Sequence, residues 1–195
     1  MKTLQTTLYA ALLSASLLSP SALAHWVVDN SQSSLFFIST KNINVSEVHH
    51  FSVLSGSMEK DGKFSLDIDL ASVETGIEIR NTRMRDMLFN VANFPKATVS
   101  ATLPDAIVGL ANGTTLRLEI PATLSVMGKS KALMLDAQVS KNENSNFVVS
   151  SVKPVLLAAA DVGLQEGVEA LQKIAGLSSI GLTVPVSFTL VLQVH

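Results

Sequence analysis

The amino-acid sequence predicts an all-β fold of antiparallel strands with one or two short helices, on a single domain. Three observations predict it. Apolar and polar side chains alternate with period two along most of the chain. Asp61-Gly62, Asn112-Gly113 and Gly128-Lys129 punctuate the alternating runs with residues suited to hairpin turns. Two runs, Thr114 to Met127 and Leu182 to His195, reach about 14 residues against a usual 5 or 6. Strands that long suit a tall barrel better than a sandwich, although periodicity alone leaves both open.

In chain order, residues 1–24 read as a cleaved secretory signal. Lys2 supplies the positive end, Leu8 to Leu18 is apolar apart from Ser14 and Ser16, and Ala22-Leu23-Ala24 offers small residues for cleavage. That apolar stretch is short of the roughly 20 residues that span a bilayer. The mature chain is expected to begin at His25, and residues 25–195 form the domain. Its strands are expected near Trp26–Asp29, Leu35–Thr40, Phe51–Glu59, Phe64–Leu70, Ala97–Leu103, Thr114–Met127, Leu133–Val139, Phe147–Val155 and Leu182–His195. Two segments leave the period-two pattern. Ile77, Met84 and Leu88 in residues 77–89, and Val162, Leu164, Val168, Leu171 and Ile174 in residues 161–175, have helical spacing. The second has Asp161 as its expected N-cap and Gly176 just past its end. Being amphipathic, it is expected to pack on the barrel and plug one end, the alternative being contact with a partner protein or a membrane surface.

Composition removes several functions. The chain is 47% apolar and 15% charged, with no cysteine. Loss of Lys2 with the leader leaves 13 basic against 16 acidic side chains, too acidic a balance to hold a nucleic acid by charge. After the leader no apolar run is long enough to cross a membrane, and the expected location is the periplasm. The rows that face one way along each strand are mainly Leu, Val, Ile and Ala, with few aromatics. A barrel of eight strands is the size at which the inside either fills with side chains or holds one small ligand, and aliphatic rows favour an aliphatic guest.

The segments Ser72-Val73-Glu74-Thr75, Arg80-Asn81-Thr82-Arg83-Met84-Arg85, Leu88-Phe89 and Phe94-Pro95, the hairpin Leu124 to Lys131, and the opening Trp26-Val27-Val28-Asp29 with Ser33 to Phe37 together resemble the YceI-like polyisoprenoid-binding family. The likeness spans essentially residues 25–195. It departs at Arg80-Asn81, where the family usually has Arg-Asp, and at Arg83-Met84, where it usually has His-Leu. The resemblance implies an eight-stranded antiparallel lipocalin-like barrel whose bore holds a long isoprenoid chain, as in a polyprenyl phosphate or a ubiquinone-type lipid. The expected bore lining is Phe64, Leu66, Leu116, Leu118, Ile120, Leu133, Leu135, Phe188 and Leu190.

Three of the four arginines, Arg80, Arg83 and Arg85, fall within six residues. They suit a cationic lip for an oxygen-rich head group, or a latch in which they pair with Glu74, Glu78 and Asp86. An amino-terminal His25, with its amine and imidazole and His49 or His50, would suit copper and would make the protein a redox enzyme. Against that stand histidines read as lying in an exposed loop, and no metal is expected. No Gly-x-Ser-x-Gly, His-Glu-x-x-His or cysteine nucleophile is present. Asp67 and Asp69 alternate onto a polar face as solvated carboxylates.

The expected function is a non-catalytic periplasmic carrier that sequesters an isoprenoid lipid. No cofactor is expected apart from such a lipid, no nucleic-acid partner and no transmembrane segment in the mature chain; a homodimer is left open. The alternatives are the copper enzyme and a protein-interaction module with a filled barrel.

Overall fold

Alternating strands bury one face by curling into a barrel. A computed structural model describes residues 25–195; the expected leader lies outside the described residues. The strand segments are β1 (Trp26–Val28), β2 (Ser34–Lys41), β3 (Val45–Phe51), β4 (Leu54–Met58), β5 (Lys63–Asp69), β6 (Val73–Glu74), β7 (Lys96–Thr102), β8 (Thr114–Val126), β9 (Lys129–Lys141), β10 (Phe147–Ser151), β11 (Val155–Ala158) and β12 (Thr183–Val194). Three pairs of them are single wall strands with a break. β1 and β2 meet the same edge of β12, at Trp26↔Val194 and Phe37↔Val186. Between them the Asp29 carboxylate accepts from Ser31 N–H at 2.9 Å and from the Gln32 amide at 2.6 Å, turning the chain. β10 and β11 share the other edge of β12, and β3 and β4 together line the β2 and β1 side.

Joined in this way, the segments make a closed antiparallel barrel of eight strands in up-and-down order, as expected. β12 closes it onto β1 and β2. The small β6 adds to β3 at His50↔Glu74.

The β8–β9 hairpin is the longest ladder, Thr114↔Lys141 through Val126↔Lys129. Its two-residue turn is Met127-Gly128, both at positive φ (49° and 72°), the geometry that matches strand twist. Asn112-Gly113 is not a hairpin. It follows a short helix, α1 (Asp105–Val108), which was not anticipated and which places the fully buried Ile107 under one barrel end. The strand β3 was also missed. Its inward positions include Glu47 and His49 while Val48 faces solvent, so its pattern is inverted relative to a normal wall strand.

One end of the barrel is shut by packing. Trp26 meets Phe147 edge-on at 5.2 Å between centroids, and Lys141 Nζ lies over both rings at 5.7 and 5.1 Å. Trp26 Nε1 donates to Ser145 O at 2.8 Å. The other end carries the helices. Residues Glu78–Arg83 form α2, which runs into a π-helical turn at Met84–Leu88, with Phe89 N–H donating to Met84 O at 2.9 Å. This wider turn brings Leu88 and Phe89 into the barrel. α3 (Gln165–Ile174) packs against it. The expected N-cap, Asp161, is not at the start of α3: it lies in a 3₁₀ turn (Ala159–Val162) and pairs with Lys131 Nζ at 2.9 Å. Gly176, at φ 64°, does follow the helix end.

Gly167 sets how closely α3 approaches. A Cβ there would lie 2.9 Å from Leu88 Cα and Met87 O. Gly167→Ala in a free helix would gain about 1 kcal/mol. Here overpacking reverses the sign, and a net loss of about 1–2 kcal/mol is expected in urea unfolding; an increase in the midpoint would show that α3 is not held against the π-helical turn.

Candidate functional site

The barrel encloses an elongated cavity of about 230 Å³. One water needs about 10–15 Å³ on such a measure, so this is far more than a packing defect. Every residue that lines it is aliphatic, aromatic, Met or Gly. Leu66, Ile68, Val99, Ile120, Leu124, Ala137 and Leu190 form its walls, Phe147 and Ile107 its closed end, and Leu88, Phe89, Leu164 and Val168 its helical end. Leu182, also in the lining, is 42% exposed, so the cavity reaches solvent on that side. The strand period explains the chemistry: inward positions are every second residue, and those rows contain almost no polar atom.

Seven of the expected lining residues lie on the cavity: Phe64, Leu66, Ile120, Leu133, Leu135, Phe188 and Leu190. Leu116 and Leu118 do not. They share the inward face of β8, but they pack half-buried against the core where β8 runs past its pairing with β7, which spans only Ala122 to Ser125.

Beside the cavity stands a polar wall that the sequence reading did not assemble. Inward-facing Glu47 on β3 takes both Lys41 Nζ and Arg80 Nη1 at 2.8 Å on the same carboxylate oxygen. Arg80 Nη2 donates to Thr75 O. His49, 3% exposed, bonds through Nε2 to Ser39 Oγ at 2.8 Å and packs on Phe37, a cavity residue, at 5.2 Å. Two buried atoms of this wall, His49 Nδ1 and Arg80 Nε, have no hydrogen-bond partner among the described residues. Burial penalises the imidazolium and the nearby Arg80 charge adds to it, so the His49 pKa lies below its ordinary value. The Lys41 hydrogen bond, aided by Arg80, holds the Glu47 carboxyl below the usual range.

The three clustered arginines part company here. Arg80 reaches the polar wall, through Glu47 rather than the Glu74 expected of a latch. Arg85 turns outward to Glu78 at 2.6 Å and Thr82 Oγ1 at 3.0 Å, while Arg83 makes no ion pair among the described residues. Glu74 instead accepts from Gly76 N–H and from Asn81 Nδ2. Asn81, 2% exposed, uses its Oδ1 for both Thr75 N–H (2.9 Å) and Thr75 Oγ1 (2.6 Å), which fixes the turn that carries Arg80. Asp67 faces outward as expected, but it is paired rather than solvated, accepting from Lys96 Nζ and Thr98 Oγ1, each at 2.6 Å.

The histidines of the alternative copper reading are not brought together. His49 is buried in the wall rather than in an exposed loop, His50 faces outward against Phe36, and His25 lies at the shut end beside His195. Glu47 and His49 were missed as site residues because polar inward positions read as a loop; the only signal was the alternation of Val48 with them.

Comparison with known proteins agrees with this architecture. A YceI-like domain model matches residues 26–192. A polyisoprenoid binding domain from Saccharophagus degradans, implicated in plant cell wall breakdown, superposes with a TM-score of 0.83 at 39% identity, over 86% of this chain and 97% of that one. BcnA of Burkholderia cenocepacia superposes with a TM-score of 0.65 at 19% identity, over 84% and 98%, a likeness of fold. No curated protein matches. With nearly the whole described chain covered by the family pattern and the same barrel in its relatives, this protein belongs to the YceI-like family.

Proposed function

We propose that the protein is an exported, non-catalytic carrier that holds one long-chain isoprenoid lipid in the bore, with the lipid's oxygen-bearing head against Lys41, Glu47, His49 and Arg80. The observation that carries this reading is the all-apolar lining of a cavity that runs from the shut end to the helices. A hydrocarbon tail gains roughly 0.8 kcal/mol per buried methylene and needs no polar partner along its length. The relative from Saccharophagus degradans, described as polyisoprenoid binding, supports the same class of ligand.

The polar wall explains why the head would stop where it does. His49 Nδ1 and Arg80 Nε leave hydrogen-bonding capacity unused among the described residues, and a quinone carbonyl or a phosphate oxygen brought against them would accept from Arg80 Nε–H, or from His49 Nδ1 in the tautomer that carries its proton there. Lys41 and Arg80 share a single carboxylate, so the wall retains one positive charge, and a phosphate head would add salt dependence that a quinone would not. The exported location follows the leader-like residues 1–24 and the periplasm is the compartment proposed.

Two outcomes test the reading. Protein purified from the periplasm should yield about one equivalent of a prenyl lipid on organic extraction and native mass spectrometry; Ala137→Phe, which puts a ring into the bore, should remove most of it while leaving the circular dichroism of the barrel. A protein that neither carries nor takes up quinone or polyprenyl phosphate would end the carrier proposal.

The second concerns His49. With its folded pKa lowered, the unfolded chain binds more protons between the two pKa values. This contribution to stability is therefore complete above about pH 6.5 and is lost as the pH falls from there through the folded value. His49→Gln should flatten that part of the stability–pH curve, and the NMR ring signals of His49 should titrate at a lower pH in the folded protein than in the unfolded chain; titration at the same or a higher pH would contradict the burial argument.

A further inference from the structure

The first and last residues of the domain form a pair at the shut end of the barrel. His195 N–H donates to His25 O at 2.8 Å, and His25 N lies 3.4 Å from His195 O, which extends the β1–β12 ladder by one step. Their imidazoles stack with centroids 5.8 Å apart and planes 21° from parallel. His25 is half-buried and His195 exposed, and neither ring makes a hydrogen bond to another residue described. Both imidazoles therefore lie together on one face of the β1–β12 seam.

We propose that the mature chain binds a Cu(II)-class metal ion at this seam through three nitrogens: the α-amine and imidazole of His25 and the imidazole of His195. The inference rests on cleavage after Ala24, which turns the backbone nitrogen of His25 into the amine. Amine and imidazole of one histidine close a chelate ring, and the ladder holds the third donor directly opposite. Among the described residues no three His, Cys, Asp or Glu side chains are grouped to hold a metal; the amine is what completes the set. All-nitrogen donors favour Cu(II) over Zn(II) and the earlier divalent ions. The amine ordinarily titrates near 7.7–8.0, so binding releases a proton and tightens as the pH rises toward that range. The site lies at the opposite end from Glu47 and His49 and is independent of the lipid. Its effect is to clip β1 to β12, the pair that closes the barrel; no turnover is implied.

The test uses exported protein whose intact mass shows His25 as the first residue, stripped of metal and titrated with Cu(II). One equivalent should bind, with an electron paramagnetic resonance spectrum of nitrogen ligation. His25→Ala and His195→Ala should each weaken binding by about a hundredfold or more, because loss of even an outer partner commonly costs 10–100-fold. His50→Ala should leave it unchanged. A metal that needs both strands binds only the folded chain, so Cu(II) at a hundredfold excess over Kd should raise Tm by about 5–10 °C. Unchanged affinity in His195→Ala, binding without any rise in Tm, or a mature chain that starts elsewhere than His25 would each overturn the proposal.

Discussion

Closure of the sheet at β12 is the constraint on which everything else rests. This strand carries β10 and β11 on one edge and β1 and β2 on the other. Without it the sheet would have two free edges and an inner face open to water. With it, every second residue of the walls is committed to one enclosed space, and the identity of those residues becomes the chemistry of a cavity. Leu190 and Leu192 on β12 are both buried in the core and both line that cavity, so the strand that closes the barrel also contributes to its wall.

The two ends solve different problems. At the shut end large side chains interlock: Trp26, Phe147, Met58 and Ile107 are buried, and the indole N–H is satisfied by Ser145. At the helical end, cover is supplied by elements laid across the opening, the π-helical turn and α3, whose contact depends on the missing side chain of Gly167. A cover made of one short amphipathic helix on a narrow contact is the weaker closure, and packing of this kind is where local opening costs least.

Polar residues on an inner wall must be satisfied, because burial removes their water. The wall of β3 does this with a compact set: Lys41 and Arg80 on one Glu47 oxygen, Ser39 on His49, and Asn81 holding the Thr75 turn that positions Arg80. Asn81 is able to do this because its amide offers both donor and acceptor, giving to Glu74 and accepting from Thr75. The result is an apolar bore with a compact polar cluster on β3 beside it, outside the cavity lining.

Much of the fold was legible in the residues. Period-two rows such as Leu116 to Val126 identify strands and their buried face because side chains alternate by geometry, independent of the rest of the chain. Residues 77–89 and 161–175 were legible as helices for the same local reason, though Asp161 was misjudged because its partner Lys131 lies on a distant strand. What the sequence determined by itself was local: strand faces, turn positions, the aliphatic character of the interior. Tertiary structure alone decided which residues meet across the barrel. It brought Glu47 and His49 inward from a segment that reads as a loop, drew Arg80 to them while sending Arg85 outward, left Leu116 and Leu118 off the cavity, and set His25 beside His195. Each of these depends on register and closure between strands far apart in the chain, and no periodicity within a single strand encodes them.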